Sequence, residues 1–319
     1  MLQFLLRRLP ASILLIWLVS VLIFVGCEVL PGDVAQVALG QSATAENVRA
    51  LRTEFGLDRP ALTRYADWLQ GIVFHADWGR SITTRTPVSA MLAERLSNTL
   101  LLAGVTTLIA VPLALLIGLT MAIRSGSNYD RAASVAILGL AATPEFLIGT
   151  IAVLVFAVKL HWLPSTSYLS EGSGLTATAR AILLPVGTLV IIATAQIARM
   201  TRAIVGNVLA LPYIEMARLK GLAGARVVLV HALRNAIGPL ANVIALNVAY
   251  LVSGVVVVET IFAYPGLARL MADSVQARDL PVVQACAMIF CATYIMLIVA
   301  ADIIAYACDP KSGSQGRSA

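Results

Sequence analysis

Six apolar runs dominate this chain, at residues 10–29, 100–123, 132–158, 181–198, 236–262 and 282–307. Each is long enough for a helix to cross about 30 Å of hydrocarbon, and each exceeds the roughly ten residues that a barrel strand needs. A backbone in lipid must satisfy its own N–H and C=O groups, so runs of this length pack as an α-helical bundle. The expected fold class is all-α and integral to a membrane, with six transmembrane helices. Composition agrees, since 59% of the 319 residues are hydrophobic, 13% are charged and the mean hydropathy is +0.86, too apolar for a soluble domain.

The net charge of +6 becomes informative once it is divided between the two sides of a membrane. With the N-terminus cytoplasmic, the inside segments carry twelve basic residues, including Arg124, Arg131, Arg199 and Arg202, against Asp130, Glu215 and Asp309. The outside segments carry eleven basic and twelve acidic residues. This asymmetry is the positive-inside bias, and it predicts both termini in the cytoplasm. The basic excess therefore reports topology and membrane lipid, and no nucleic-acid partner is expected. Arg7-Arg8 before the first run also fits a signal peptide, but a run of about 20 residues suits a retained first helix.

Residues 31–98 form an outside segment too long for a plain connection. Val48, Leu51 and Phe55 make one apolar stripe ending at Gly56, and Tyr65, Trp68, Leu69 and Ile72 make a second after Pro60, so two short amphipathic helices are expected. Pro87 starts a third that leads into the second span. These helices either cap the bundle, contacting a partner or framing an entrance, or lie on lipid headgroups; seven acids balancing seven bases favours the cap.

Polar residues inside the apolar runs mark candidate function. In the third run, Thr143-Pro144-Glu145 combines a lost backbone hydrogen bond with a carboxylate in hydrocarbon, so Glu145 faces protein or water, either lining a pathway or taking a structural partner. The fourth run is short and begins near Pro185. The fifth carries Asn242, Asn247 and Ser253, which either line a wet route or hydrogen-bond neighbouring helices. Asp302 lies near the inner end of the sixth, where headgroups make a charge cheaper. The polar tail after Asp309-Pro310 is expected to lack structure. Cys27, Cys286, Cys291 and Cys308 show no metal spacing and read as small apolar residues.

Between the fourth and fifth runs lies a short polar helix, residues 211–224. Pro212 suits the first helical position, and Gly221 and Gly224 suit its end. Ala217 and Gly221, four apart, are expected to leave a bare patch for another backbone, with Glu215, Arg218 and Lys220 supplying charge around it. Catalytic signatures are missing. No Gly-Lys dipeptide exists, which excludes a phosphate-cradling P-loop, and there is no H-E-x-x-H or G-x-S-x-G. If nucleotide drives this protein, the energy comes from another subunit.

The stretch Glu215-Met216-Ala217-Arg218-Leu219-Lys220-Gly221, continuing through His231-Ala232-Leu233-Arg234-Asn235-Ala236-Ile237-Gly238-Pro239, resembles the cytoplasmic EAA signature of ABC importer permeases, in the version carried by the dipeptide/oligopeptide family. Leu30-Pro31-Gly32-Asp33, Phe55-Gly56-Leu57-Asp58-Arg59-Pro60, Thr143-Pro144-Glu145-Phe146, Val256-Val257-Val258-Glu259-Thr260-Ile261-Phe262 and Ala307-Cys308-Asp309-Pro310 look like that family's B-type subunit, so the likeness covers nearly the whole chain. One departure is Met216, where the signature has its first Ala.

The resemblance implies a type I ABC importer half-channel in the bacterial cytoplasmic membrane. Such permeases pair with a second homologous permease above two ATP-binding subunits, and a periplasmic or lipid-anchored binding protein delivers solute. ATP and Mg would then sit on partner subunits, with no cofactor and no enzyme activity on this chain. Residues 211–224 would be the coupling helix, through Glu215, Ala217, Arg218, Lys220 and Gly221, and the candidate path residues are Glu145, Asn242, Asn247 and Ser253. The implied domain plan is a first helix at 1–30, a periplasmic cap at 31–98, a transmembrane core at 95–306 and a polar tail at 309–319. Di- or oligopeptides are the expected solutes, with nickel complexes, glutathione and opines as alternatives from the same family. A self-sufficient secondary transporter using Glu145 and Asp302 is a reading from another class.

Overall fold

The computed structural model describes residues 2–29, 32–168, 174–222, 224–253 and 255–308, of which 2–9, 38, 218, 253 and 305–308 are described by their backbone alone. The expected tail at 309–319 lies outside them. Among the described residues the helices are α1 (Leu2–Val29), α2 (Val34–Leu39), α3 (Ala45–Glu54), α4 (Ala61–His75), α5 (Val88–Ile123), α6 (Asn128–Ala142), α7 (Glu145–Ala152), α8 (Leu175–Leu209), α9 (Pro212–Leu219), α10 (Gly224–Arg226), α11 (Leu233–Ser253), α12 (Val256–Ile261), α13 (Leu267–Gln276) and α14 (Leu280–Cys308). No strand occurs among the described residues. Five helical stretches are long and apolar enough to span a membrane, and α6 with the bent continuation Glu145–Lys159 makes a sixth. The chain is thus a multi-pass, all-α membrane protein.

The chain divides into two compact units, one of Leu101–Tyr264 and Tyr294–Ala319, the other of Leu2–Leu100 and Pro265–Thr293. In the first, α8 is the central element, packed against α6, α7, α11 and α12. It starts at Leu175, ten residues before Pro185, so the fourth span is longer than expected and carries that proline inside it, buried. Pro185 has no N–H for the Ala181 carbonyl four residues earlier, and the buried Ser167 hydroxyl donates to that carbonyl instead, at 2.6 Å. The third span breaks where Thr143 and Pro144 take extended backbone, and the axis turns by 94°.

Close approach within this unit depends on one small residue. A Cβ on Gly118 would lie 2.6 Å from Thr201 Cβ and 2.7 Å from the Ala198 carbonyl oxygen, so the α5 backbone rests directly on α8. A charge pair fastens α6 to α8: Arg202 donates from Nε at 2.6 Å and from Nη2 at 2.7 Å to the two carboxylate oxygens of buried Asp130. The Ser127 hydroxyl caps the start of α6 by accepting from the Asp130 N–H, and Gly126 N–H donates to the Asp130 carboxylate.

The second unit unites the first span and the short helices that follow it with residues 265–293. Both expected stripes are present: Leu51 is buried with Val48 and Phe55 beside it, while Tyr65 and Trp68 of α4 stack on Phe24 of α1. A further helix, α2, capped by Asp33, precedes them. The loop before α5 is held by Asp279, which is buried and accepts hydrogen bonds from the Ser81 and Thr83 hydroxyls and from the Ile82 and Thr83 N–H groups. Nearby, the Thr99 hydroxyl accepts from Leu267 N–H and Asn98 donates to the Pro265 carbonyl.

Candidate functional site

The polar helix between the fourth and fifth spans forms as α9. Pro212 occupies its first position, and Gly221 takes φ +76° just past its end, a left-handed value that glycine adopts without strain. Its faces differ from the expected arrangement. Ala217 is 9% exposed and Ile214 fully buried, both packed in a cluster with Val205 of α8, Val227, Val228 and Ala232 of the following π-helical turn, and Ala236 of α11. Gly221 lies in the turn, so it does not extend a face shared with Ala217. The bare patch is therefore absent: Ala217 is spent on the chain's own core because the 3.6-residue period places it beside Ile214.

What α9 leaves exposed is Tyr213, Glu215, Met216, Leu219 and Lys220, with Leu219 at 76% and Met216 at 57%. The side chain of Arg218 lies outside those described. A hydrogen bond from Asn235 Nδ2 to the Tyr213 hydroxyl, 2.6 Å, adds a polar tie from α11 to α9. The helix is thus wedged into the end of α8 and the start of α11, while a mixed apolar and charged face stays open.

The second group lies at the break of the third span and along α11. Glu145 opens α7 directly after the break, so its carboxylate sits at the positive end of the helix dipole, and it accepts a 2.7 Å hydrogen bond from the Tyr250 hydroxyl of α11. These two interactions offset part of the cost of a carboxylate in hydrocarbon. Tyr250 was not legible as a partner, since a single tyrosine in an apolar run signals no more than an amphipathic ring. Asn242 is exposed on α11, and Asn247 is half-buried with its amide donating to the Val243 carbonyl of its own helix. Neither is brought to Glu145 by a hydrogen bond in the structure, and the Ser253 side chain lies outside those described. The Asp130–Arg202 pair was also missed, although Ser127 three residues before Asp130 is a helix-start signal.

Comparison with known proteins meets this geometry along the whole chain. Residues 114–313 match the model of the family described as "Binding-protein-dependent transport system inner membrane component", and residues 1–103 match the model of that system's membrane component N-terminal region. A Brucella abortus protein named "Putative peptide transport system permease protein" is 36% identical over 307 residues, which is 96% of this chain and 97% of that one. The glutathione transport system permease protein GsiC of Escherichia coli is 34% identical over 311 residues, 97% and 98% of the two chains. Among solved structures, a chain of the MetNI methionine ABC transporter superposes with a TM-score of 0.54 at 18% identity, covering 69% of this chain and 97% of that chain, which shows the type I importer transmembrane fold. With both models and relatives spanning nearly its full length, the chain belongs to the family of binding-protein-dependent transport system inner membrane components, as a permease subunit.

Proposed function

We propose that this subunit forms half of the translocation pathway of an ATP-driven importer for di- or oligopeptides or peptide-like solutes, in a bacterial cytoplasmic membrane with both termini inside. A second homologous permease completes the pathway, two ATP-binding subunits hydrolyse ATP and a periplasmic or lipid-anchored binding protein presents the solute. The observation that carries this reading is α9: Ile214 and Ala217 key it into α8 and α11, while Glu215, Met216, Leu219 and Lys220 stay exposed for a partner. Rigid-body displacement of α9 would then move two spans together, which is what conversion of ATPase closure into alternating access requires. Glu145, at the break of the third span, is the path-lining candidate on the membrane side.

Relatives named for peptide transport support the solute class, and GsiC, named for glutathione, supports a second reading in which the cargo is a peptide-like thiol. The test is uptake by the assembled transporter carrying Leu219→Asp, a change at an exposed position. Solute-dependent uptake and ATPase stimulation are expected to fall about tenfold or more, in line with loss of an interface hot spot, while membrane insertion is unchanged. Undiminished uptake would remove α9 from the coupling role.

A further inference from the structure

The second unit contains a cavity of about 210 Å³ where two membrane spans end. Glu28, the next-to-last residue of α1, and Leu280, the first of α14, both line it. Phe24, Leu280 and Pro281 give it an apolar part of its lining. Its charged lining residues Glu28, Arg59, Arg64 and Asp67 are balanced in sign. Arg64 donates to Glu28 and to the Arg59 carbonyl, and Arg59 pairs with Asp67 at 2.7 Å. Trp68 lines the same cavity. A second cavity of about 350 Å³ shares Cys27, Glu28, Leu57, Arg64 and Leu280 with the first.

From this combination we infer that the cavity is a headgroup site for an aminophospholipid, a phosphate joined to a primary ammonium. The phosphate suits the planar guanidinium forks of Arg59 and Arg64. The ammonium, with three donors, suits Glu28 and Asp67. Two guanidinium groups and two carboxylates make the charged lining neutral, so a headgroup of zero net charge keeps it neutral, and a zwitterion is the neutral headgroup that offers each sign of charge its opposite. A quaternary ammonium offers no N–H to the carboxylates, and an anionic headgroup leaves one negative charge uncompensated.

The position selects a lipid over a soluble zwitterion. The Tyr65 hydroxyl lies 2.8 Å from Ser20 Oγ, inside the apolar run of α1, so α4 lies against the membrane-spanning part of that helix. Leu62, Val73 and Phe74 of α4 are 79%, 63% and 76% exposed, an apolar outer surface of the kind that lies among acyl chains. A headgroup in the cavity would leave its chains beside that surface.

Native mass spectrometry of the full-length chain, exchanged into bilayer discs with equal phosphatidylethanolamine, phosphatidylcholine and phosphatidylglycerol, tests the assignment. Phosphatidylethanolamine is expected to be the retained lipid. Its retention falls roughly three- to fivefold in both Arg59→Gln and Asp67→Asn, as loss of one partly exposed charge contact dictates, with the fold intact because both positions are exposed. Equal retention of the three lipids, or unchanged selectivity in both variants, overturns the site. Binding of soluble phosphoethanolamine to lipid-free protein, with no selective retention of the diacyl lipid, overturns the lipid assignment. None of these readouts depends on what the transporter carries.

Discussion

The third and fourth spans each hold a proline within an apolar run, and they answer it in opposite ways. At Pro144 the chain ends α6, passes through two extended residues and restarts at 94°. At Pro185 α8 continues through all 35 of its residues. Both prolines remove one hydrogen bond. For Pro185, Ser167 replaces it at the Ala181 carbonyl, and α6, α7, α11 and α12 pack on the helix, which continues unbroken. For Pro144, the Leu140 carbonyl instead accepts from Thr143 N–H, which closes α6, and α7 presents Phe146, Leu147 and Ile151 outward. Proline therefore licenses a break, and the surroundings decide whether one occurs.

Three substitutions sharpen or break that contrast. The largest effect is expected at the crowded side of α8. Gly118→Leu forces the α5 and α8 backbones apart, costing about 3 kcal/mol or more, read as a drop in the thermal midpoint of the detergent-solubilised protein. A midpoint like wild type would show that α8 is not held by close packing. Next is Ser167→Ala, which leaves the Ala181 carbonyl unpaired in a dry environment and costs about 1–3 kcal/mol. In a Pro185→Ala background the alanine N–H reaches Ala181 itself, so the same change becomes nearly neutral. A double-mutant cycle with no coupling would refute the compensation. The smallest effect belongs to the break: Tyr250→Phe removes one hydrogen bond from half-exposed Glu145 and costs about 1 kcal/mol. If Glu145 binds a cationic group of the solute, the same variant changes the apparent affinity for uptake; an unaltered affinity leaves Tyr250 a structural support alone.

Much of the architecture is legible in the order of residues. Period and length placed six spans, Pro212 and Gly221 bounded α9, and the stripes through Leu51 and Trp68 located α3 and α4, because these signals are local in the chain. The misplacements share a cause. A spacing of four puts Ala217 and Gly221 on one face in sequence, but Ala217 packs into the core with Ile214 while Gly221 sits in the left-handed turn beyond the helix. Pro185 reads as a helix start in sequence because the donor that compensates for it, Ser167, lies eighteen positions earlier in the chain. Asp279 carries no motif at all, yet four donors from residues 81–83 converge on it across almost two hundred positions.

Taken alone, the order of residues decided the class of this protein: an all-α membrane permease whose spans, polar connecting helix and family membership follow from apolar length, turn chemistry and motif order. Tertiary structure decided the rest: which proline bends a span, which face of α9 is free, and that Glu145 meets Tyr250 105 residues further on. The reason is physical. Propensity and periodicity act over a few residues, whereas a buried carboxylate or an orphaned carbonyl is satisfied by whichever donor folding delivers, and sequence distance does not record that.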